Sequence, residues 1–188
     1  MSVFVVADMH FGDDVVRKLN RRQFKTVDDM NKYIVERWNK TVSPKDTIYV
    51  LGDLGKKEYL SIYKNLNGKK ILILGNHDVE EIGIEPEIYL NNGFDEVYNH
   101  HITYNDFIEL SHEPFPINSD YSINLHGHLH NATLNLKGYF NICLDLNYYK
   151  PVNIDCFRKY TCQLKQVRKK FGKEWYFENY NFVNGGVN

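Results

Sequence analysis

Five times in this chain a short apolar run stops at a cluster of Asp, His or Asn, and no other feature constrains the fold as much. The runs read "VFVVA" (3–7), "TIYVL" (47–51), "KILIL" (70–74), "FIELS" (107–111) and "SINLH" (122–126), with a sixth, "YFNICL", at 139–144. Their length and β-branched content predict buried strands. Between the first three lie helical patterns. Thr26 with Asp29 three residues on forms a capping signal for a helix carrying Val27, Met30, Ile34 and Trp38 on one face. Leu60, Tyr63 and Leu66 repeat that spacing before a stop at Gly68. These are β-α-β units. Farther on, "EVYNHHITY", a turn at Asn105 and Asp106, and then "FIELS" predict a hairpin. The expected architecture is α/β, a two-layered sheet core flanked by helices.

The polar clusters fall where an open α/β sheet places its ligands, beyond the carboxyl ends of strands. "ADMHFGDD" sets Asp8 and His10 after the first run, "LGDLG" sets Asp53 after the second, and "GNHD" sets Asn76, His77 and Asp78 after the third. "LSHEP" then supplies His112, and "LHGHLH" supplies His128 and His130. One such cluster is ordinary turn chemistry. Five in register are not, because consecutive amide, imidazole and carboxylate groups lose hydration on burial and need partners. Residues two apart, as in Asp8/His10 and His128/His130, can face one side of an extended loop and grip one cation. Hard oxygen mixed with imidazole nitrogen, without sulfur, suits Mn, Fe, Zn or Ni and argues against a Cys-rich structural zinc or an all-oxygen calcium cage. Glycines adjoining the clusters (Gly12, Gly52, Gly75, Gly127) allow sharp turns and close backbone approach. The remaining histidines read as ordinary residues: His100 and His101 are adjacent in the expected hairpin and face opposite ways, and His126 at most hydrogen-bonds behind a ligand.

In order, D-x-H, G-D, G-N-H-D, a lone H and G-H-x-H resemble the motif series of the calcineurin-like metallophosphoesterases, here over roughly residues 2–152. The resemblance implies a four-layered α/β/β/α sandwich, the metallo-dependent phosphatase fold, with two divalent ions at its strand ends. Asp8, His10, Asp53 and His130 would hold one ion and Asp53, Asn76, His112 and His128 the other, the Asp53 carboxylate bridging. Manganese is the first choice. His77 would be free to act as general acid, with Asp78 orienting its ring. Two cations neutralise a phosphoester's anionic oxygens and lower the pKa of the water they share, so the expected nucleophile is a metal-activated hydroxide. The compass of the chain resembles small single-domain bacterial and phage members. Members acting on phosphoproteins carry Asp-Arg-Gly after the second motif, where this chain reads "GDLGKKEY", so a protein phosphatase is disfavoured. The second acid that would orient neighbouring histidines is missing there. Lys56 and Lys57 beyond the second motif read as solvated surface.

The expected reaction is therefore metal-dependent hydrolysis of a phosphomonoester or phosphodiester, on a small or nucleotide-like substrate. Its rivals are a nuclease or cyclic-nucleotide phosphodiesterase and a non-catalytic scaffold of the same fold. Composition agrees with one soluble globular unit: 188 residues, 43% hydrophobic and 25% charged, fit one core. A formal charge of -1 gives no overall pull toward nucleic acid, which is therefore not favoured as a partner. No segment resembles a membrane span or signal peptide, and Cys143, Cys156 and Cys162 form no C-x-x-C pair, so a cytoplasmic protein with small buried thiols is expected. Oligomeric state is not legible. The phosphoesterase domain is expected over 1–152. Residues 153–188 are expected to add a helix striped by Phe157, Tyr160, Leu164, Val167 and Phe171, and a tail with Trp175, Tyr176 and Phe177, packed on the same domain. Basic residues from Lys150 to Lys173 read mainly as a solvated face, or more sharply as an aromatic platform beside a basic groove for bases.

Overall fold

In a computed structural model the described residues are 1–118 and 122–171, and they form two sheets with helices packed on them. The first sheet contains β1 (Val3–Val6), β2 (Thr47–Leu51), β3 (Lys69–Ile73), β4 (Glu96–Tyr98) and, late in the chain, β9 (Val152–Asn153). Its order is β4-β3-β2-β1-β9; the first four strands run parallel, and β9 pairs antiparallel to β1. The second sheet has the order β5-β6-β7-β8, from β5 (Ile102–Tyr104), β6 (Ile108–Ser111), β7 (Ile123–His126) and β8 (Tyr139–Asn141). Only β5 is antiparallel to its neighbour.

The alternation of side chains along each strand builds two separate cores. Val6, Ile48, Val50 and Leu72 turn to one face of the first sheet, where they bury Met30, Ile34 and Trp38 of α2 (Val27–Thr41). Val5, Leu51 and Ile73 turn to the other face and meet Ile108, Leu110, Ile123 and Leu125 of the second sheet. The architecture is the expected α/β/β/α sandwich of the metallo-dependent phosphatase fold. Helix α2 starts where the sequence places it, with the Thr26 hydroxyl accepting the Asp29 N–H at 3.1 Å. Its Trp38 indole donates to the Asn67 carbonyl at 2.9 Å, fixing the helix to the loop before β3.

Several expectations change. The segment around Leu60 is a 3₁₀ helix, Lys57–Asn65, rather than an α-helix, because a three-residue repeat of apolar contacts serves both. The run "EVYNHHITY" is not one strand of a hairpin. It breaks after Tyr98, so β4 closes the edge of the first sheet while β5 opens the second, and Asn99 to His101 cross between them. Short helices α1 (Asp14–Leu19), α3 (Asn76–Glu81) and α4 (Pro86–Leu90) add to the helices the sequence predicts. Past β9, a 3₁₀ turn (Ile154–Phe157) leads into α5 (Arg158–Phe171), and Ile154, Phe157 and Leu164 bury into the core between the sheets. The tail around Trp175, Tyr176 and Phe177 lies outside the described residues. Cys156 and Cys162 are exposed, contrary to the expectation of buried thiols; Cys143 alone is buried. Among the described residues, no helix is long and apolar enough to cross a membrane.

Candidate metal centre

Parallel pairing carries on past the strand ends, and this brings the first two motifs together. Beyond β1 and β2, Asp8 N–H donates to the Gly52 carbonyl at 3.1 Å, His10 N–H to Asp53 at 3.1 Å and Phe11 N–H to Leu54 at 3.0 Å. In the second sheet, Gly127 N–H donates to the His112 carbonyl at 2.8 Å, tying the ends of β6 and β7. The two sheets then meet at these ends: the His128 amide donates to the Asp8 carboxylate at 3.0 and 3.1 Å.

All seven side chains expected as ligands converge around Asp53. On one flank Asp53 Oδ2 lies 3.5 Å from His10 Nε2, and Asp8 Oδ1 lies 4.0 Å from His10 Nε2 and 3.9 Å from His130 Nε2. On the other flank Asp53 Oδ1 lies 3.5 Å from His112 Nε2. Asn76 Oδ1 stands there 2.9 Å from His112 Nε2 and 3.0 Å from His128 Nδ1, and the two imidazole nitrogens are 3.3 Å apart. Asp8, His10 and His130 form one group whose ligand atoms could share an ion, and Asp8, Asp53 and His112 form another.

The surroundings fit divalent cations. Asp8 and Asp53 are buried carboxylates facing one another, and burial pushes the Asp8 carboxyl above its ordinary range despite the His112 ring nearby. Burial, together with Arg22 and the rings of His130, His77 and His112, holds the His10 imidazole well below its ordinary value, in the neutral form that binds metals. Its Nε2 is buried and has no hydrogen-bond partner among the described residues. A bound cation would satisfy that nitrogen and offset the two acids. The backbone is bent to the same end. Asp8, His10, Asp53, His128 and His130 all adopt positive φ, between 48° and 69°, a conformation costing about 1–2 kcal/mol for a residue with a Cβ. At Gly75 an added Cβ would strike Asp53 Oδ1, and at Gly127 it would strike Asp8 Oδ2, so both positions exclude a side chain.

Supporting groups hold the imidazoles. His112 Nδ1 donates to the Leu51 carbonyl at 2.8 Å, leaving Nε2 for an ion. His130 Nδ1 lies 3.3 Å from Asp145 Oδ2; the Asp145 and Asp8 carboxylates outweigh the effect of burial and raise its pKa. Asp145 is clamped by Arg22 through two 2.8 Å bonds, while the same guanidinium holds the Asp8 and Met9 carbonyls at 2.8 Å. Sequence reading passed over Arg22 and Asp145, which stand 123 residues apart; an acid inside the apolar "ICLDL" was the available signal. The buried Cys143 thiol donates to Asp8 Oδ2 at 2.9 Å, so sulfur does touch the centre, though as a hydrogen-bond donor. His126, buried, turns Nδ1 to the Gly127 carbonyl at 2.9 Å.

The expectation that Asp78 orients His77 is corrected. Asp78 is fully buried, and its two oxygens accept the N–H groups of Asp53, Leu54 and Gly75, each at 2.8 Å. It is a brace between the second and third motifs. Burial pushes its carboxyl up to about 6 against the pull of those donors. The His77 ring instead places Nδ1 3.2 Å from Glu81 Oε1, one helical turn on, and Lys56 holds Glu81 at 2.6 Å. The helix start puts the carboxylate of Asp78 under the loop and the side chain four residues after His77 beside it. Asp78→Ala should strand three buried donors and lower stability by at least about 3 kcal/mol, read by urea denaturation in the presence of chelator.

Buried carboxylates and imidazoles in two flanking groups, beside the half-buried His77, could hold divalent cations. The chain belongs to the calcineurin-like phosphoesterase family, whose sequence model matches residues 1–185. It is 29% identical to the uncharacterized protein MJ1445 of Methanocaldococcus jannaschii over 184 residues, covering 89% of this chain and 95% of that protein. Among solved structures it is similar to the protein of unknown function AQ665 from Aquifex aeolicus, at TM-score 0.64 and 28% identity, over 84% of this chain and 98% of that one. A Pseudomonas putida nuclease, MPE, matches more distantly, at TM-score 0.45 and 21% identity over 68% of this chain and 60% of that one. Family and candidate ligands together support metal-dependent phosphoester hydrolysis in general terms.

Proposed function

We propose that the protein hydrolyses a phosphoester bond at a two-cation centre, with Asp53 bridging, Asp8, His10 and His130 completing one site, and Asn76, His112 and His128 completing the other. The observation that carries this reading is the convergence of both flanks on the two oxygens of one buried carboxylate. When bound, a pair of divalent cations neutralises phosphoryl oxygens and lowers the pKa of the attacking water. Manganese suits the mixture of carboxylate, amide oxygen and imidazole, with iron, zinc or nickel as alternatives.

The remaining chemistry belongs to the chain's own side chains. His77 stands over the His10 flank, its ring centroid 5.5 Å from that of His10, and its side chain is 40% exposed, open to a substrate. Glu81 accepts from Nδ1 and so leaves Nε2 to protonate the departing alkoxide. The backbone N–H of His77 donates to Asp53 Oδ1 at 3.1 Å, which fixes the start of α3 against the centre. Arg22 and Asp145 keep His130 and the Asp8 loop in place.

The test is direct. Protein stripped with chelator should be inactive on bis-p-nitrophenyl phosphate and p-nitrophenyl phosphate, and manganese should restore hydrolysis of at least one. Hydrolysis that survives chelation, or none with any of the four metals, would contradict the reading.

A further inference from the structure

One cavity adjoins the proposed centre on a single flank. It measures about 450 Å³, within the range of small-molecule sites, and shares Asn76 and His112 with the second cation's side chains. None of Asp8, His10, His77 or His130 lines it. The cavity therefore adjoins the second cation's flank, and a leaving group departing toward His77 does not fill it.

Its chemistry is selective. Ile73, Leu74 and Val79 give it an apolar side, and His101 and Phe115 lie stacked, ring centroids 3.7 Å apart and planes 24° from parallel. His100 adds a third ring to the lining, edge-on to Tyr98 with centroids 5.7 Å apart. Among the described lining residues there is no lysine or arginine, whereas Glu80 and Glu113 bring two acids. A second phosphate would be repelled there, and a planar uncharged ring would stack.

From this geometry we infer that the cavity binds the retained ester group of a phosphodiester, and that this group is an uncharged nucleoside whose base stacks on the outer face of the His101–Phe115 ring pair. The inference rests on the phosphoesterase reading above and narrows it. A monoester has no retained group to place in the cavity, and a polynucleotide would carry its further phosphates past Glu80 and Glu113. The break in the strand after Tyr98 gains a purpose, because it delivers His100 and His101 to the cavity wall as the chain crosses between sheets.

Two substrates with the same leaving group test this. The p-nitrophenyl ester of thymidine 5'-monophosphate and methyl p-nitrophenyl phosphate differ only in the retained group. With manganese, wild-type kcat/KM should favour the thymidine ester by at least about tenfold, as expected for one stacked base. In Phe115→Ala and, separately, in the less intrusive His101→Ala, that preference should fall to about one. A wild-type preference near one, or a preference that persists in both variants, would overturn the inference while leaving the phosphoesterase reading intact. If neither diester is hydrolysed with any of the four metals while p-nitrophenyl phosphate is, the diester inference is overturned and the phosphoesterase reading stands; if no ester is hydrolysed, that reading fails and the cavity is judged by binding instead. Calorimetric titration of adenosine should then show millimolar or tighter binding to wild type that is lost in Phe115→Ala. No adenosine binding, or binding unchanged by the substitution, would overturn the cavity assignment.

Discussion

Asp53→Asn should abolish binding of both proposed cations at once and reduce turnover below detection. The two oxygens of Asp53 face different imidazoles at the same 3.5 Å distance, His10 on one flank and His112 on the other. An amide in this place supplies one oxygen and one NH₂ group, so one flank meets a donor where a ligand atom belongs. The buried charge balance also shifts, since only Asp8 then remains to offset two divalent ions. Manganese affinity should drop by more than the 10- to 100-fold typical of supporting residues, because a bridging ligand is lost rather than a support. Calorimetric titration and metal analysis of the purified variant read this. Near-normal manganese content in Asp53→Asn would contradict the shared-carboxylate arrangement.

His77→Ala should separate chemistry from binding. Its ring contributes no atom to either group of candidate ligands, so manganese binding should stay at the wild-type level. Turnover should fall by about 10² to 10⁴, the usual contribution of a general acid. The loss should be larger for an alkyl leaving group, which needs a proton, than for p-nitrophenolate, which leaves as a stable anion. Parallel assays on two diesters differing in the leaving group show the difference. Equal losses on both, or an unchanged rate on the poor leaving group, would remove His77 from the proton-donor role.

Much of the centre was legible because strand ends are punctuated locally. A buried run followed by Gly-Asp or Gly-Asn-His-Asp gives the strand, its stop and its ligand types within a few residues, and the parallel order of β1, β2 and β3 then gathers them along one edge. The cap of α2 was likewise local, since Thr26 and Asp29 sit within one turn. What escaped was set by rotamer and by distance in sequence. Nothing in "GNHD" says whether the Asp78 carboxylate turns to the neighbouring ring or down to three backbone amides, and the structure chooses the amides because buried N–H groups demand acceptors. The pairing of Arg22 with Asp145 spans most of the chain and leaves no periodic trace. In "EVYNHHITY" the alternation of apolar residues is the same whether one strand or two carry it, so the crossing between sheets was hidden. Residue type alone predicts Cys156 and Cys162 to be buried, while their places on the 3₁₀ turn and α5 face outward.

The most direct measurement is an anomalous-scattering map from crystals grown with manganese. Two peaks about 3.5–4 Å apart, one beside each oxygen of Asp53, are the expected result for a two-cation phosphoesterase centre. A map with no peak near Asp53, or with a single ion that leaves the Asn76, His112 and His128 flank empty, would contradict it.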